Sequence, residues 1–447
     1  MTDPSPSPRD AAARAGVTLR LLWPQWQGPG RLAGLHAWTE DDVPNIARWG
    51  IASFSPDDLR ATTRPLLDWL AAEPGDMIGA LFTASGKPSV RPWSYVPRPG
   101  VAPARGECAM LSNRQQIARL RHLAVQALGA YPLVDPELRF VAHGENTTFR
   151  VDAMVADGPD RFLLRVHRPA RHGRRLDSAA AVGSELDWLT ALRADTALSV
   201  PEPFRTTNGK LTTTAASPDV PEPRVCSLLR WMDGRVHSSA PRLVHLRRLG
   251  SVMARLHNHA GQWCPPPGFA RIRWDWETFF GDTMVYGGIN AADAWDLIPA
   301  DLRRRFDRVA SGMQRVMTHL GDGADQVGLI HADLHLDNAL FWRDDVRIID
   351  FDDCGFGYWL YDIAVSLWEL RHRSDYEQFR TALIEGYTRH RPLPPGGLTH
   401  LDDFIATREV AFGLWYAGTA EVNPAFRADL SEVLGHIGHS LDTLLGD

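Results

Sequence analysis

The stretch from residue 329 to residue 352 constrains this chain more than any other part of it. Residues 329–338 read Leu-Ile-His-Ala-Asp-Leu-His-Leu-Asp-Asn, which contains the pattern His-x-Asp-x-x-x-x-Asn. Residues 347–352 read Arg-Ile-Ile-Asp-Phe-Asp, which predicts a short strand that ends at an acid. Together they supply one proton acceptor and two oxygen ligands for Mg²⁺, the polar groups needed to move a phosphoryl group from ATP to a hydroxyl.

Each polar side chain in this stretch has a predicted role. Asp333 would orient the hydroxyl of the acceptor and take its proton. Asn338 and Asp350 would be metal ligands, because Mg²⁺ prefers oxygen and usually takes only one or two ligands from carboxylates. His331 is expected to hydrogen-bond the loop and not to act as a base.

A metal-dependent hydrolase is the rival interpretation of the same stretch. His331, Asp333 and His335 alternate along the chain and could share a metal ion. That interpretation leaves Asn338 and Asp350 without roles, and it needs further ligands for which the sequence shows no second cluster. We therefore favour phosphoryl transfer.

A second group of residues is predicted to bind the nucleotide. Gly144, Asn146 and Thr147 lie between two apparent strands, where backbone N–H groups of a hairpin could contact phosphate oxygens. A P-loop is excluded because the two lysines of the chain are followed by the wrong residues: Pro88 comes after Lys87 and Leu211 after Lys210.

The cation that grips the phosphates should therefore be an arginine. Arg165, on the predicted strand 161–166, fits this role, and Glu185 on the following helix is its expected partner. Arginine would hold phosphate through a planar fork and keep its charge. Backbone from Arg230 to Met232, where strand 225–231 meets a turn, is expected to hydrogen-bond adenine.

Composition narrows the classes of partner and the compartment. A formal charge of −6 argues against nucleic acid as a partner. No apolar run approaches the roughly 18 residues of a membrane span. The four cysteines form no Cys-x-x-Cys pair, which indicates a reducing, cytoplasmic setting and no structural zinc.

Strand patterns come first in the main part of the chain and helical patterns later, which predicts an α+β fold with a small sheet lobe and a larger helical lobe. We assign residues 111–232 to the N-terminal lobe and residues 233–447 to the C-terminal lobe with the catalytic loop. Residues 1–15 are predicted to be a disordered tail. Residues 16–110 form an extension of uncertain role. A helix is predicted to begin at Ser55, and the extension ends in a Pro/Gly-rich linker.

From about residue 113 to its end, the chain resembles the aminoglycoside phosphotransferase-like kinases, which include antibiotic, choline, homoserine and hydroxylysine kinases and a bacterial stress response kinase. The resemblance is carried by residues 331–338, 348–353 and 360–364, with 229–235 and 254–257 as further family-like segments. It implies a two-lobed, protein-kinase-like fold that binds ATP and Mg²⁺ between the lobes.

The same resemblance implies roles for single residues and exposes two departures. It makes Asp333 the catalytic base, gives Arg165 the position of the phosphate-binding cation, and makes Asp362 an anchor of the catalytic region. The departures are Ala332, where glycine is common, and Leu336-Asp337, where Pro-Gly is often found.

The resulting prediction is an ATP-dependent phosphotransferase that moves the γ-phosphoryl group to a hydroxyl of a small molecule. Asp352, Asp353, Glu369 and Glu385 are candidates for binding an amine on that molecule. A Ser/Thr protein kinase and a non-catalytic nucleotide-binding module are the alternatives.

The N-terminal extension resembles pieces of an arginase-type protein in residues 21–28 and 49–70. Arginases hold two manganese ions with clusters of histidine and aspartate. His36 is the only histidine before residue 110, and no Asp-x-His-x-Asp run is present. The extension is therefore not predicted to be an active arginase.

Overall fold

The computed structural model describes residues 21–26, 32–38, 113–169, 178–282, 284–286, 289–422 and 424–446. The chain divides into two compact units, Met1–Cys108 and Ala109–Asp447. In the first unit, strands β1 (Leu21–Trp26) and β2 (Leu32–Trp38) form an antiparallel pair. The predicted tail, the helix expected from Ser55 and the Pro/Gly-rich linker lie outside the described residues.

The second unit begins with a lobe built on one antiparallel sheet. The strands follow the order β3-β4-β5-β8-β6, and β7 also pairs with β8. The elements of this sheet lobe are α1 (Asn113–Leu128), β3 (Val134–His143), β4 (Thr147–Val155), β5 (Gly158–Val166), α2 (Ser178–Asp195), β6 (Pro203–Phe204), β7 (Thr212–Ala215) and β8 (Arg224–Arg230).

Alternating burial explains why this sheet forms. Along β4, Phe149, Val151 and Ala153 are buried, whereas the residues between them are only half-buried. Leu123 and Leu128 of α1 pack into the same core. One face of the sheet is thus covered by apolar side chains, which is typical of an antiparallel sheet with a helix against it.

The rest of the second unit is mainly helical. Its helices are α3 (Leu243–Ala260), α4 (Trp276–Phe280), α5 (Ala291–Asp296), α6 (Ala300–Leu320), α7 (Trp359–Trp368), α8 (Tyr376–Thr388), α9 (Leu401–Val422) and α10 (Pro424–Leu445). Its strands are β9 (Arg273–Trp274), β10 (Val285–Tyr286), β11 (Ile289–Asn290), β12 (Val327–Ile330), β13 (Ala339–Trp342), β14 (Asp345–Ile348) and β15 (Gly355–Tyr358). The predicted α+β fold, with a small sheet lobe and a larger helical lobe, is confirmed.

The hairpin β13–β14 brings the residues around Asn338 and the residues around Asp350 together. Ala339 pairs with Ile348, and the amide of Ile349 donates to the carbonyl of Asn338 at 2.9 Å. Asn338 precedes the first strand and Asp350 follows the second. Both residues therefore emerge at the same end of the hairpin.

No helix among the described residues is both long enough and apolar enough to cross a bilayer. The longest of them, α9 and α10, each contain 22 residues.

Helices α3 and α8 approach each other closely through two glycines. A Cβ atom added to Gly386 would lie 1.9 Å from the carbonyl oxygen of Arg247, and one added to Gly250 would lie 2.1 Å from that of Leu383. Both obstacles are backbone atoms, so no side-chain rotation can remove the overlap. The crossing of α3 and α8 therefore depends on the absence of side chains at these two positions.

We expect Gly386→Ala to lower the free energy of unfolding by about 1–3 kcal/mol or more, because the two helices must separate. Urea denaturation followed by circular dichroism measures the change. Gly435→Ala in α10 is the control, since its Cβ would meet nothing within 4 Å. That variant should gain about 0.5–1 kcal/mol from reduced backbone entropy in the unfolded chain. Equal stability of the two variants would contradict the close crossing.

Candidate active site

The loop between β12 and β13 is held by Asp362, a fully buried residue of α7. The amide of His331 donates to Asp362 Oδ2 at 3.0 Å, and the amide of Ala332 donates to Oδ1 at 2.6 Å. His257 Nε2 lies 2.9 Å from Oδ2. One carboxylate thus fixes two consecutive backbone amides, and with them the start of the segment that contains Asp333.

Ala332 adopts a left-handed backbone conformation, with φ at +65°. A Cβ atom is crowded in this region, which costs roughly 1–2 kcal/mol relative to a right-handed conformation. Glycine avoids the cost, which accounts for the glycine expected at this position from the family resemblance. The alanine stays in this conformation because its amide is held by Asp362.

His331 is a structural residue of the loop. Its Nε2 lies 3.1 Å from the carbonyl oxygen of Ile349, and its Nδ1 accepts from the amide of Asp333 at 3.3 Å. The ring also packs on Phe351, with 4.6 Å between centroids. Both ring nitrogens are engaged by backbone, so His331 has no nitrogen left for the metal ion that the hydrolase interpretation required.

Asp333 is contacted from two sides. Asn338 Nδ2 donates to Asp333 Oδ2 and to its carbonyl oxygen, both at 2.9 Å. Arg408 donates to Oδ1 at 2.6 Å. The described residues make no hydrogen bond to Asn338 Oδ1, so this oxygen can serve as a metal ligand.

The charges around Asp333 determine its protonation state. Burial opposes ionisation, but the cations His335 and Arg408 outweigh it and hold the pKa of the Asp333 carboxyl below its ordinary value. Burial likewise opposes the charge on His335, but the carboxylates of Glu369 and Asp333 raise the pKa of His335 well above its ordinary value. Asp333 is thus ionised at neutral pH, as a proton acceptor must be.

Asp350 and Arg165 meet across the two lobes. Asp350 has φ +63° and ψ +64°, and about half of its side chain, 51%, is exposed. Arg165 donates to Asp350 Oδ1 at 3.2 Å. Desolvation by the surrounding protein raises the pKa of Asp350 despite this exposure and despite the guanidinium beside it.

Arg165 is itself buried in the sheet lobe. It lies on β5 between Thr148 of β4 and Ser227 of β8. Its guanidinium donates to Glu185 Oε1 at 2.7 Å, and it lies 3.6 Å from Asp352 Oδ1. The predicted Arg165–Glu185 pair is therefore present. Arg165 binds Glu185 through Nη1, and its Nη2 is the nitrogen that donates to Asp350.

The hairpin loop between β3 and β4 is held mostly by its own residues. The amide of Gly144 donates to the carbonyl of Asn146 at 3.0 Å, and Asn146 Oδ1 accepts from the amide of Arg168 at 3.1 Å. Thr147 is buried, with its hydroxyl 2.7 Å from His143 Nδ1. The side chains of Asn146 and Thr147 thus shape the loop, and contact with phosphate would fall to backbone amides.

In the segment expected to hydrogen-bond adenine, two backbone amides already donate to other carbonyls of the protein. The amide of Arg230 donates to the carbonyl of Glu202, and that of Trp231 donates to the carbonyl of Arg161, both at 2.8 Å. The Arg230 side chain pairs with Asp160 and with Glu202. Within the described residues, Met232 keeps a backbone N–H that is not engaged in a hydrogen bond.

Two residues of α9 reach the site, and neither was predicted. Arg408 contacts Asp333, as described above, and its guanidinium lies 5.2 Å from the centroid of the Trp368 ring. Trp415 Nε1 donates to Glu145 Oε1 in the hairpin loop at 2.7 Å. An arginine within the apolar run 404–420 was the available signal, because a charge in such a run must face a partner.

The acids proposed for binding an amine separate into two groups. Glu369 lies beside the site, with Oε2 3.5 Å from His335 Nδ1, and its ligand atoms come within 4.8 Å of those of His335 and Asp337. Asp352 lies next to Arg165. Glu385 instead pairs with Arg247 on the surface at 2.9 Å. The role of Glu385 in binding an amine therefore stays a prediction, and its carboxylate already has a cation beside it.

Comparisons with known proteins identify the family of this chain. The model of the phosphotransferase enzyme family matches residues 137–395. Amicoumacin kinase of Bacillus subtilis (strain 168) is 24% identical over 323 residues, which cover 67% of this chain and 87% of that kinase. Homoserine kinase of Rhodopseudomonas palustris (strain TIE-1) is 29% identical over 206 residues, 45% of this chain and 57% of that kinase.

Two solved structures are similar over 73% of this chain. The microcompartment-associated aminopropanol kinase aligns with a TM-score of 0.61 and 28% identity, covering 73% of this chain and 98% of that one. Amicoumacin kinase hAmiN, in complex with AMP-PNP, Ca²⁺ and Ami, aligns with a TM-score of 0.57 and 20% identity, covering 73% and 96%. The latter likeness shows the shared fold.

We expect Asp362→Asn to lower the free energy of unfolding by about 3–5 kcal/mol, because an NH₂ group would face a backbone amide or His257 inside the core. Guanidinium denaturation measures the loss. Asp344→Asn is the control: Asp344 also pairs with an arginine, but 98% of its side chain is exposed. It should change stability by less than about 1 kcal/mol. A tolerated Asp362→Asn would show that the loop has another anchor.

Proposed function

This chain belongs to the phosphotransferase enzyme family and is a kinase that acts on a hydroxyl, and we propose that it transfers the γ-phosphoryl group of ATP to a small, amine-bearing molecule. The observation that carries the proposal is the meeting of the two lobes at one place. Arg165 of the sheet lobe contacts Asp350, and Asn338 at the same end of the hairpin contacts Asp333.

Asp333 is the proposed base. In the transfer, the acceptor oxygen forms a bond to the γ-phosphorus while the bond from that phosphorus to the bridging oxygen of ADP breaks. The proton of the acceptor hydroxyl passes to Asp333. Because Asp333 is held ionised by His335 and Arg408, it is ready to accept this proton at neutral pH.

Asn338 and Asp350 are the proposed ligands of Mg²⁺. Asn338 directs its Nδ2 to Asp333, which leaves Oδ1 for a cation, and Asp350 keeps half of its side chain exposed. These are the hard oxygen donors that Mg²⁺ takes alongside phosphate and water. When bound, Mg²⁺ would neutralise charge on the phosphate oxygens.

Arg165 and the hairpin loop would hold the phosphates. Arg165 is buried and keeps its charge through Glu185, which allows it to meet a phosphate oxygen with a fixed guanidinium. Backbone amides of the loop around Gly144 would complete the grip. Adenine would be contacted by the backbone of Met232.

An amine-bearing acceptor is supported by the surroundings of Asp333. Glu369 lies on the acceptor side, next to His335. Trp368 and Phe412 pack together nearby, with 4.9 Å between ring centroids. The carboxylate of Glu369 is the group that would pair with an ammonium there, since the Trp368 ring already has Arg408 and Arg371 against it. The aminopropanol and homoserine kinases are named for acceptors with an amine and a hydroxyl.

We place the reaction in the cytoplasm. ATP is an intracellular substrate, and the described cysteines Cys226, Cys264 and Cys354 are free thiols. Free thiols persist in a reducing compartment.

An acceptor screen tests the proposal. Purified protein is incubated with ATP and MgCl₂ and a panel of amino alcohols, hydroxy amino acids and aminoglycosides, and ADP release is measured. Mass spectrometry of the mixture should show one acceptor heavier by a phosphoryl group. Absence of ADP release across the panel would contradict the proposal, and label from ATP on protein alone would indicate a protein kinase.

Asp333→Asn should lower kcat by about 100- to 10,000-fold, because the amide cannot accept the proton of the hydroxyl. ATP affinity, measured by calorimetry, should change by less than about threefold since Asp333 does not contact the nucleotide. Asp344→Asn should leave both quantities unchanged. A variant with normal kcat would remove Asp333 from the reaction.

Asp350→Asn should raise the Mg²⁺ concentration at half-maximal rate by at least about tenfold, because one anionic ligand is lost. The measurement is initial rate against free Mg²⁺ at saturating ATP. Asp344→Asn again serves as the comparison, and an unchanged Mg²⁺ dependence would mean that Asp350 is not a ligand.

A further inference from the structure

Arg408 is a buried cation on the acceptor side of Asp333. Only 16% of its side chain is exposed, and its guanidinium lies against the Trp368 ring. It binds Asp333 Oδ1, whereas Oδ2 is bound by Asn338, a proposed metal ligand. Arg408 and Asn338 thus bind different oxygens of the Asp333 carboxylate.

The hydrogen-bonding capacity of Arg408 is not used up by Asp333. In the part of the chain that the structure describes, Arg408 Nε is buried and has no hydrogen-bond partner. A buried charged group with an unused donor is costly. A ligand can reach the guanidinium through the 16% of the side chain that is exposed, and an acceptor there would add a hydrogen bond to this charge.

Tyr361 and Asp353 also lie close to the Arg408 guanidinium, but among the described residues no hydrogen bond reaches its Nε. Glu409, the next residue, accepts from Trp368 Nε1 at 2.5 Å and pairs with Arg371, so it is committed elsewhere. Glu369 is held by His335. The surroundings of Asp333 thus contain Arg408, whose Nε is unpaired within the described part of the chain, and the carboxylates of Asp353 and, beyond His335, of Glu369.

We propose that Arg408 binds a carboxylate of the acceptor, so that the substrate is an amino acid with a hydroxyl on its side chain. This inference rests on the proposed function and names the substrate class for the same site. Arg408 contacts Asp333 directly, so the carboxylate and the reacting hydroxyl must be separated by only a few bonds. The ammonium group of such a molecule would lie toward Glu369.

Two pairs of compounds isolate the carboxylate. Threonine differs from 1-aminopropan-2-ol, and homoserine from 3-aminopropan-1-ol, only by the carboxylate. The ratio of kcat/KM for the acid to kcat/KM for the matched amino alcohol is measured with ATP and MgCl₂. We expect this ratio to exceed about 10 for at least one pair, since a hydrogen-bonded ion pair is gained.

Arg408→Gln should lower that ratio by at least about tenfold, and Arg408→Lys, which keeps the charge but not the fork, should lower it less. The ratio is the informative quantity, because a purely structural role, or an effect on Asp333, would reduce the rates of acid and amino alcohol equally. An equal loss for both compounds would overturn the inference, as would a rise in the KM for ATP alone.

The failure of this inference can be told apart from failure of the proposed function. If the amino alcohols are phosphorylated as well as the acids, the kinase activity holds and the carboxylate site does not. If nothing is phosphorylated, calorimetry with AMP-PNP and MgCl₂ still compares the binding of threonine and 1-aminopropan-2-ol. Equal affinity of wild type and Arg408→Gln for threonine would then overturn the role of Arg408.

Discussion

The carboxylate of Asp362 supports the chemistry of this protein without taking part in it. It binds two neighbouring backbone amides, one of them on Ala332, a residue in a left-handed conformation that alanine rarely adopts. A buried charge of this kind is stable only when it is fully hydrogen-bonded. The hydrogen bonds to Asp362 offset the conformational cost of the left-handed Ala332, and Asp333 is consequently held at one defined position.

The second constraint is the contact between lobes. Arg165 is fixed in the sheet lobe by Glu185 and reaches Asp350, which emerges beside Asn338 from the hairpin of the helical lobe. The interaction joins groups 185 positions apart in the chain, so the proposed nucleotide site requires both lobes to be folded. Since a guanidinium keeps its charge at any physiological pH, this contact does not titrate on its cationic side.

Local sequence patterns predicted the site residues of the catalytic loop, the hairpin and the sheet lobe, but not those of helix α9. Asp333, Asn338 and Asp350 share one loop and one hairpin, so their spacing alone indicated that they would meet. Arg165 and Glu185 could be paired because a strand and the next helix pack together. Arg408 and Trp415 could not be found in this way, because α9 reaches the site through packing between helices distant in the chain. Arg230 shows another limit: its strand was predicted, but the sequence did not show that its backbone amide, expected to contact adenine, donates to the carbonyl of Glu202.

Helix α9 touches both halves of the cleft. Arg408 binds Asp333 and, seven residues and two turns later, Trp415 binds Glu145 in the hairpin loop. Because one helix contacts both the proposed base and the loop proposed to hold the phosphates, α9 offers a route by which the binding of ATP and the binding of acceptor can be coupled. Whatever factor ATP changes in the affinity for acceptor, acceptor must change in the affinity for ATP.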